Sequence, residues 1–252
     1  KLRQIMKYFI GNWKMFGVPK SINILNKINS FISKDRNRNK YRAIITPPYT
    51  LIESFSKNFR NKKVIIGSQN CYQKDYFSSD TSAVSPYMIK KVGAKFIIIG
   101  HSDNRSEGDT DLILKNKVLF ALKNKLKVIF CIGENKAQKR NKKTFIVLKD
   151  QLTKVLENKL NKNNIIIAYE PIWSIGTGKI PSHQELKKTT LHIKKVLNKI
   201  FKKKSPPIIY GGSVNENNIA MLKEIEEIDG FLIGGASKSS KKFIDIIKNY
   251  YR

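Results

Sequence analysis

An alternation constrains this chain more than any other feature. Eight short, unbroken apolar runs recur along its 252 residues: KYFIGNW (7–13), RAIIT (42–46), KVIIG (63–67), KFIIIG (95–100), KVIFCIG (127–133), NIIIAYE (164–170), PIIYGG (207–212) and DGFLIGG (229–235). Each has strand length and no polar alternation, the pattern of a strand buried on both faces. Amphipathic stretches lie between them. SINILNKINSFI (21–32) places apolar residues at 22, 24, 25, 28, 31 and 32, and the stretches 110–125, 144–160, 184–201 and 241–251 behave alike. The segments after the second, third and seventh runs are shorter. Strands alternating with helices pair in parallel through crossover connections. Eight such units in one chain predict an α/β fold, a single (β/α)8 barrel with parallel strands. A doubly wound open sheet is the alternative. Nothing in the composition divides the chain, so one domain over 1–252 is expected. KLRQI (1–5) reads as an N-terminal extension ahead of Met6.

Charge is the feature that most invites a different reading. Lys and Arg total 49 against 19 Asp and Glu, a formal charge of +30. Such an excess suits a polyanion partner only if it is clustered. Here the lysines are spread over nearly every helical segment, and Asn and Ile are common too, as AT-rich coding would produce. The densest runs, KAQKRNKK (136–143) and KKVLNKIFKKK (194–204), fall in or beside helical stretches and read as solvated faces. A nucleic-acid partner is therefore not expected. Cys71 and Cys131 form no CxxC pattern, which suits a reducing, cytoplasmic compartment. His101, His183 and His192 make no ligand cluster with them, and no metal is expected. No apolar run nears the ~18 residues of a membrane span.

In a barrel of this kind the active site lies at the C-terminal strand ends. The unusual residues fall there: Asn12, Trp13 and Lys14 after the first strand, His101, Ser102 and Asp103 after the fourth, Glu134 after the fifth, and Glu170 after the sixth. Gly211, Gly212 and Ser213 follow the seventh, and Gly234 and Gly235 the eighth. Glycine pairs let backbone N–H groups approach a ligand, and strands seven and eight are where barrels often hold a phosphate. GTGKIP (176–181) lacks the third glycine of a dinucleotide fingerprint, and Lys179 is followed by Ile180, so a P-loop fails. A carboxylate, an imidazole, a lysine and an amide cradle suit proton transfer next to a carbonyl on a small phosphorylated sugar, with no cofactor.

These motifs resemble the triosephosphate isomerase family from Tyr8 to about Tyr250: GNWKM (11–15), GSQNCYQKD (67–75), IIGHSDNR (98–105), CIGE (131–134), AYEPIWSIGTGK (168–179), YGGSV (210–214) and GFLIGGAS (230–237). The resemblance implies interconversion of dihydroxyacetone phosphate and D-glyceraldehyde 3-phosphate without a cofactor. It implies Glu170 as general base, His101 as electrophile, Lys14 as a substrate-binding cation and Asn12 as a donor to substrate oxygens. Gly176, Ser213, Gly234 and Gly235 match the phosphate site, Pro171 to Lys179 the closing lid, and Trp173 its N-terminal hinge. A homodimer with an inserted third loop is implied as well. This chain departs from the family pattern in several places. Asp103 replaces a glutamate and would strain its contact with Lys14. Asn104 replaces an arginine, and Thr81, Ser82 and Ala83 replace Thr-Gly-Glu, so an intersubunit ion pair is lost and the dimer weakened. Phe16 stands for an asparagine and Lys238 for a leucine. If Lys238 faces the site it adds to phosphate attraction; if it points outward it is one more surface lysine.

Overall fold

The computed structural model describes residues 6–202 and 205–252. The KLRQI extension and the last two lysines of the 194–204 run lie outside the described residues. Eight parallel strands close into a barrel in chain order: β1 (Lys7–Asn12), β2 (Tyr41–Thr46), β3 (Val64–Ser68), β4 (Phe96–Ile99), β5 (Lys127–Ile132), β6 (Ile165–Tyr169), β7 (Ile208–Tyr210) and β8 (Gly230–Ile233). Closure is made by β1 pairing with both β2 and β8. Ten helices surround it among the described residues: α1 (Ile22–Lys34), α2 (Tyr49–Phe59), α3 (Pro86–Lys91), α4 (Ser102–Ser106), α5 (Asp111–Lys123), α6 (Lys136–Arg140), α7 (Thr144–Thr153), α8 (His183–Ile200), α9 (Ile219–Lys223) and α10 (Ser240–Tyr251).

The unbroken apolar runs follow from this geometry. One set of strand residues fills the lumen, with Ile10, Ile44, Ile98, Ile129, Ile166, Ile209 and Leu232 packed together. Their neighbours along the same strands, among them Phe9, Ile45, Ile97, Val128, Ile167 and Phe231, face the helices. Neither strand face meets water, so neither tolerates polar alternation. Burying each such side chain contributes about 1.5–3 kcal/mol. The helices turn their apolar stripes inward, as α1 does with Leu25, Ile28 and Ile32.

Three details depart from the expected elements. The segment after β2 forms a full helix, α2, while those after β3 and β7 are short. The stretch 144–160 is helical only to Thr153. Beyond it the chain turns, with the Leu160 N–H bonding the Glu157 carbonyl at 3.1 Å, while Val155 and Leu156 stay buried. Short helices α4 and α6, for which no separate helix is expected, also follow β4 and β5, and α6 falls within the basic run 136–143.

Candidate active site

The rim at the C-terminal strand ends holds a cavity of about 510 Å3. Asn12, Lys14, His101, Glu170, Gly176, Ser213, Gly234 and Gly235 all line it. The eight residues to which the resemblance gives catalytic or phosphate roles are thus brought to one place, while Trp13, Ser102, Asp103 and Glu134, also noted at the strand ends, do not line it.

β1 delivers Asn12 and Lys14. The Asn12 side-chain oxygen accepts from the Lys14 N–H at 3.2 Å. Lys14 has φ +54°, a left-handed conformation rare for a residue with a Cβ. Gln69 holds it there: its amide nitrogen donates to the carbonyls of Lys14 and Thr46, each at 2.9 Å. Backbone strain kept by its surroundings is a recurrent mark of functional positions. The Lys14 ammonium reaches Asp103 Oδ2 at 3.1 Å, so the shorter carboxylate still makes its contact.

β4 delivers His101, which caps α4. Its Nδ1 accepts the Asp103 N–H at 3.1 Å. Since an amide hydrogen cannot move to the ring, the proton of a neutral imidazole sits on Nε2. That nitrogen lies 3.7 Å from Glu170 Oε1. Behind the turn, Arg105 donates to the carbonyls of Gly100 at 2.8 Å and Cys131 at 3.0 Å.

β6 delivers Glu170, which is only 4% exposed. Its Oε2 is buried without a hydrogen-bond partner. A buried carboxylate oxygen left open in this way is costly as structure and useful as a proton acceptor. Gly211 makes the room: a Cβ there would lie 2.6 Å from Glu170 Cγ and 3.0 Å from Oε1.

The segment after Glu170 is a short 3-10 turn, Ile172–Ser174, followed by Gly176 and Gly178, both at positive φ. Its first end is anchored by Glu134, a buried carboxylate that accepts the Trp173 indole N–H at 2.8 Å and the Tyr169 hydroxyl at 3.2 Å. Burial pushes the Glu134 carboxyl up, against the lowering effect of those hydrogen bonds. Its far end leads into α8, whose start carries a capping box between Ser182 and Glu185. Lys139 ties the two ends together, lying 3.5 Å from the centre of the Trp173 ring and 3.6 Å from Glu185. Across the cavity Ser213 clasps the segment, donating to the Ser174 carbonyl at 2.7 Å and accepting the Gly178 N–H at 3.1 Å.

The remaining wall is backbone. Among the described residues, the N–H groups of Gly176, Gly234 and Gly235 have no acceptor. The Ser213 N–H makes only a long contact, 3.4 Å, with Ser174 Oγ. Trp13 fixes this wall to β1 by donating its indole N–H to the Ser237 carbonyl at 3.1 Å. Convergent free amides at the mouths of β7 and β8 suit an anion. Lys238 does not join them: its ammonium lies over the Phe16 ring at 5.4 Å, so the two departures from the family pattern meet each other.

Sequence reasoning missed several residues that shape this rim. Gln69 lies within a noticed motif but carried no assigned task. The buried Lys117, held by Asp109 at 2.7 Å, ties α5 to the loop before α5 and looked like any other lysine. Lys242 and Glu216, which also line the cavity, gave no signal at all.

A closed parallel barrel with its polar residues gathered in one rim cavity defines the chain as a (β/α)8-barrel enzyme. The family model described as triosephosphate isomerase matches residues 7–250. A triosephosphate isomerase of Thermodesulfovibrio yellowstonii is 35% identical over 245 residues, spanning 96% of this chain and 98% of the relative. One of Borrelia garinii subsp. bavariensis is 36% identical over 251 residues, with 96% and 98% covered. The crystal structure of triosephosphate isomerase from Bartonella henselae superposes with a TM-score of 0.88 at 30% identity, over 98% of this chain and 99% of that one. The chain belongs to the triosephosphate isomerase family, whose members are intramolecular isomerases. Among the described residues, no helix is long and apolar enough to cross a membrane.

Proposed function

We propose that the chain, acting as one barrel domain, interconverts dihydroxyacetone phosphate and D-glyceraldehyde 3-phosphate by proton transfer through an enediolate. The observation that carries this reading is Glu170, with its Oε2 buried and open and its Oε1 3.7 Å from His101 Nε2, in a cavity walled by free amides. The amides of Gly176, Ser213, Gly234 and Gly235 hold the phosphate and orient the three-carbon chain. Glu170 takes a proton from the carbon next to the carbonyl. The carbonyl oxygen gains negative charge as it becomes an enediolate, and the His101 N–H and Lys14 ammonium stabilise it. Asn12 donates to the same oxygens. Glu170 then returns the proton to the neighbouring carbon, and the oxygens exchange theirs through His101. The stretch Pro171 to Lys179 closes over the intermediate, excluding water that would favour loss of phosphate.

Glu170→Asp retracts the carboxylate by one methylene without removing its charge. The expected result is a kcat lowered about 10²–10⁴-fold, the usual worth of a placed base, with an unchanged circular dichroism spectrum. A rate close to the parent's would remove Glu170 from the role.

We also propose that the chain pairs with a second copy of itself across the face beside Lys14. Met15 is 98% exposed there, and Phe77 is 66% exposed on the neighbouring loop. Phe77 packs with Tyr76 and Tyr87, and Asp80 knits the loop by accepting from Tyr72, Lys74 and Ser78. Asn104 and Ala83 offer this face no ion pair, so apolar contact must hold it. Sedimentation at micromolar concentration should find a dimer; a fully active monomer would rule the pairing out. Two buried free thiols suit a reducing cytoplasm, and burial pushes Cys71 up to about 12.

A further inference from the structure

The cavity holds two charged side chains that the proposed reaction does not use. Glu216, on the loop after β7, and Lys242, in the first turn of α10, both line its phosphate half. Their frames are joined, because Asn249 on α10 donates to the Glu216 carbonyl at 2.9 Å. Glu216 Oε2 is buried and has no hydrogen-bond partner. Lys242 enters none of the ion pairs among the described residues, whereas its neighbour Lys241 is bound to Asp245 at 2.8 Å. With Lys238 over Phe16, Lys242 is the one cation lining this half of the cavity among the described residues.

The charge around an incoming phosphate is otherwise unfavourable. Lys14 is already paired with Asp103, and Glu170 and Glu216 both line the same cavity. The amides of the cradle are dipoles without net charge. A dianion entering such a site meets two carboxylates and one neutralised lysine. Lys242 changes that balance, because its flexible stem lets the ammonium swing toward a phosphate bound in the cavity it lines.

We propose that Lys242 and Glu216 form an opposed pair that sets the affinity of this cavity for a dianionic phosphate, Lys242 drawing it in and Glu216 limiting how tightly it is held. This rests on the reading of the site as one for a phosphorylated three-carbon substrate. The pair tunes binding and takes no part in proton transfer. Exposed charge pairs contribute modestly, so Lys242→Gln should weaken binding about three- to tenfold, and the effect should shrink in high salt.

Calorimetric titration with glycerol 3-phosphate, an unreactive three-carbon phosphate, tests this on the full chain without needing turnover. Lys242→Gln should raise its dissociation constant and the KM together, with kcat within about twofold of the parent, as expected for a charge acting on bound and transition states alike. Lys242→Arg should restore binding. Glu216→Gln should tighten it, and the double variant should return close to the parent. Unchanged affinity in Lys242→Gln, or a loss that Glu216→Gln does not relieve, overturns the proposal. Thermal melts of each variant separate these results from unfolding. Should the parent bind glycerol 3-phosphate and respond as described yet fail to isomerise, the isomerase reading falls and the charge pair stands. Should it isomerise while Lys242→Gln binds normally, the reverse holds.

Discussion

The two halves of the rim cavity are built by different means. The half formed by β1, β4 and β6 works with side chains. Asn12, His101 and Glu170 are buried, and each is set by something behind it: Gln69 on the Lys14 turn, Arg105 under the His101 turn, Gly211 beside Glu170. The half formed by the ends of β7 and β8 works with backbone. Its N–H groups stand open, and a Cβ added at Gly234 or Gly235 would meet nothing within 4 Å. Chemistry at a particular atom needs side chains held to a fraction of an ångström, whereas holding a round anion needs only several dipoles pointing the same way. Side-chain precision should therefore fail abruptly, and backbone cradling gradually.

Gly211→Ala presses hardest on the first half. The new methyl would sit 2.6 Å from Glu170 Cγ, so the carboxylate must move. A displacement of about 1 Å is enough to lose ~10²-fold in rate, and that loss is expected in kcat. Overpacking of this kind typically costs ~1–3 kcal/mol of stability, so the protein should still fold. A kcat near the parent's would mean that Glu170 has more freedom than its burial suggests.

The sequence made the two halves unequally legible. The barrel was plain because a strand buried on both faces must be apolar throughout, and eight such runs leave little choice of architecture. Glu170, His101 and Lys14 stood out because charged groups at the ends of apolar strands need a reason. Glycine pairs after β7 and β8 pointed to a cradle through their lack of a Cβ. What stayed hidden were residues whose identity is ordinary and whose position alone matters. Lys242 is one of 49 Lys and Arg, and only the fold turns it toward the cavity. Glu134 was noticed at a strand end, yet its hold on Trp173 depends on a contact across 39 residues. The direction of Lys238 was undecidable without Phe16 beneath it.

Glu134 links the halves, since the segment it anchors carries Glu170 at one end and the Gly176 amide further along. Glu134→Gln keeps the shape and an acceptor for Trp173 but removes the charge. A looser anchor should lower kcat several-fold, less than Gly211→Ala, with single-turnover kinetics showing the change. The pH dependence carries a definite sign. Burial raises the Glu134 carboxyl above its ordinary 4.5, so the folded state holds that proton more tightly than the unfolded chain. The associated stability is present below the ordinary value and is lost as pH rises through the raised one. Glu134→Gln cannot titrate. Its melting temperature relative to the parent should therefore improve as pH rises from 4 toward 7. A difference that stays flat over that range would mean the carboxyl is not perturbed in the folded state.

Gly235→Ala probes the other half with the same chemical change as Gly211→Ala. Gly235 is not at positive φ, and the added methyl meets nothing within 4 Å, so the chain has no reason to shift. The methyl projects into open space rather than against a catalytic group, and the N–H remains. The expected outcome is a rise of about two- to fivefold in KM, the loss of a fraction of one amide hydrogen bond, with kcat nearly intact. The contrast lies in the pair: one methyl that strikes at kcat and one that touches only KM. If Gly235→Ala lowers kcat as far as Gly211→Ala does, the cradle is not a tolerant holder. Phosphate placement would then be coupled to the proton transfer as tightly as the base itself.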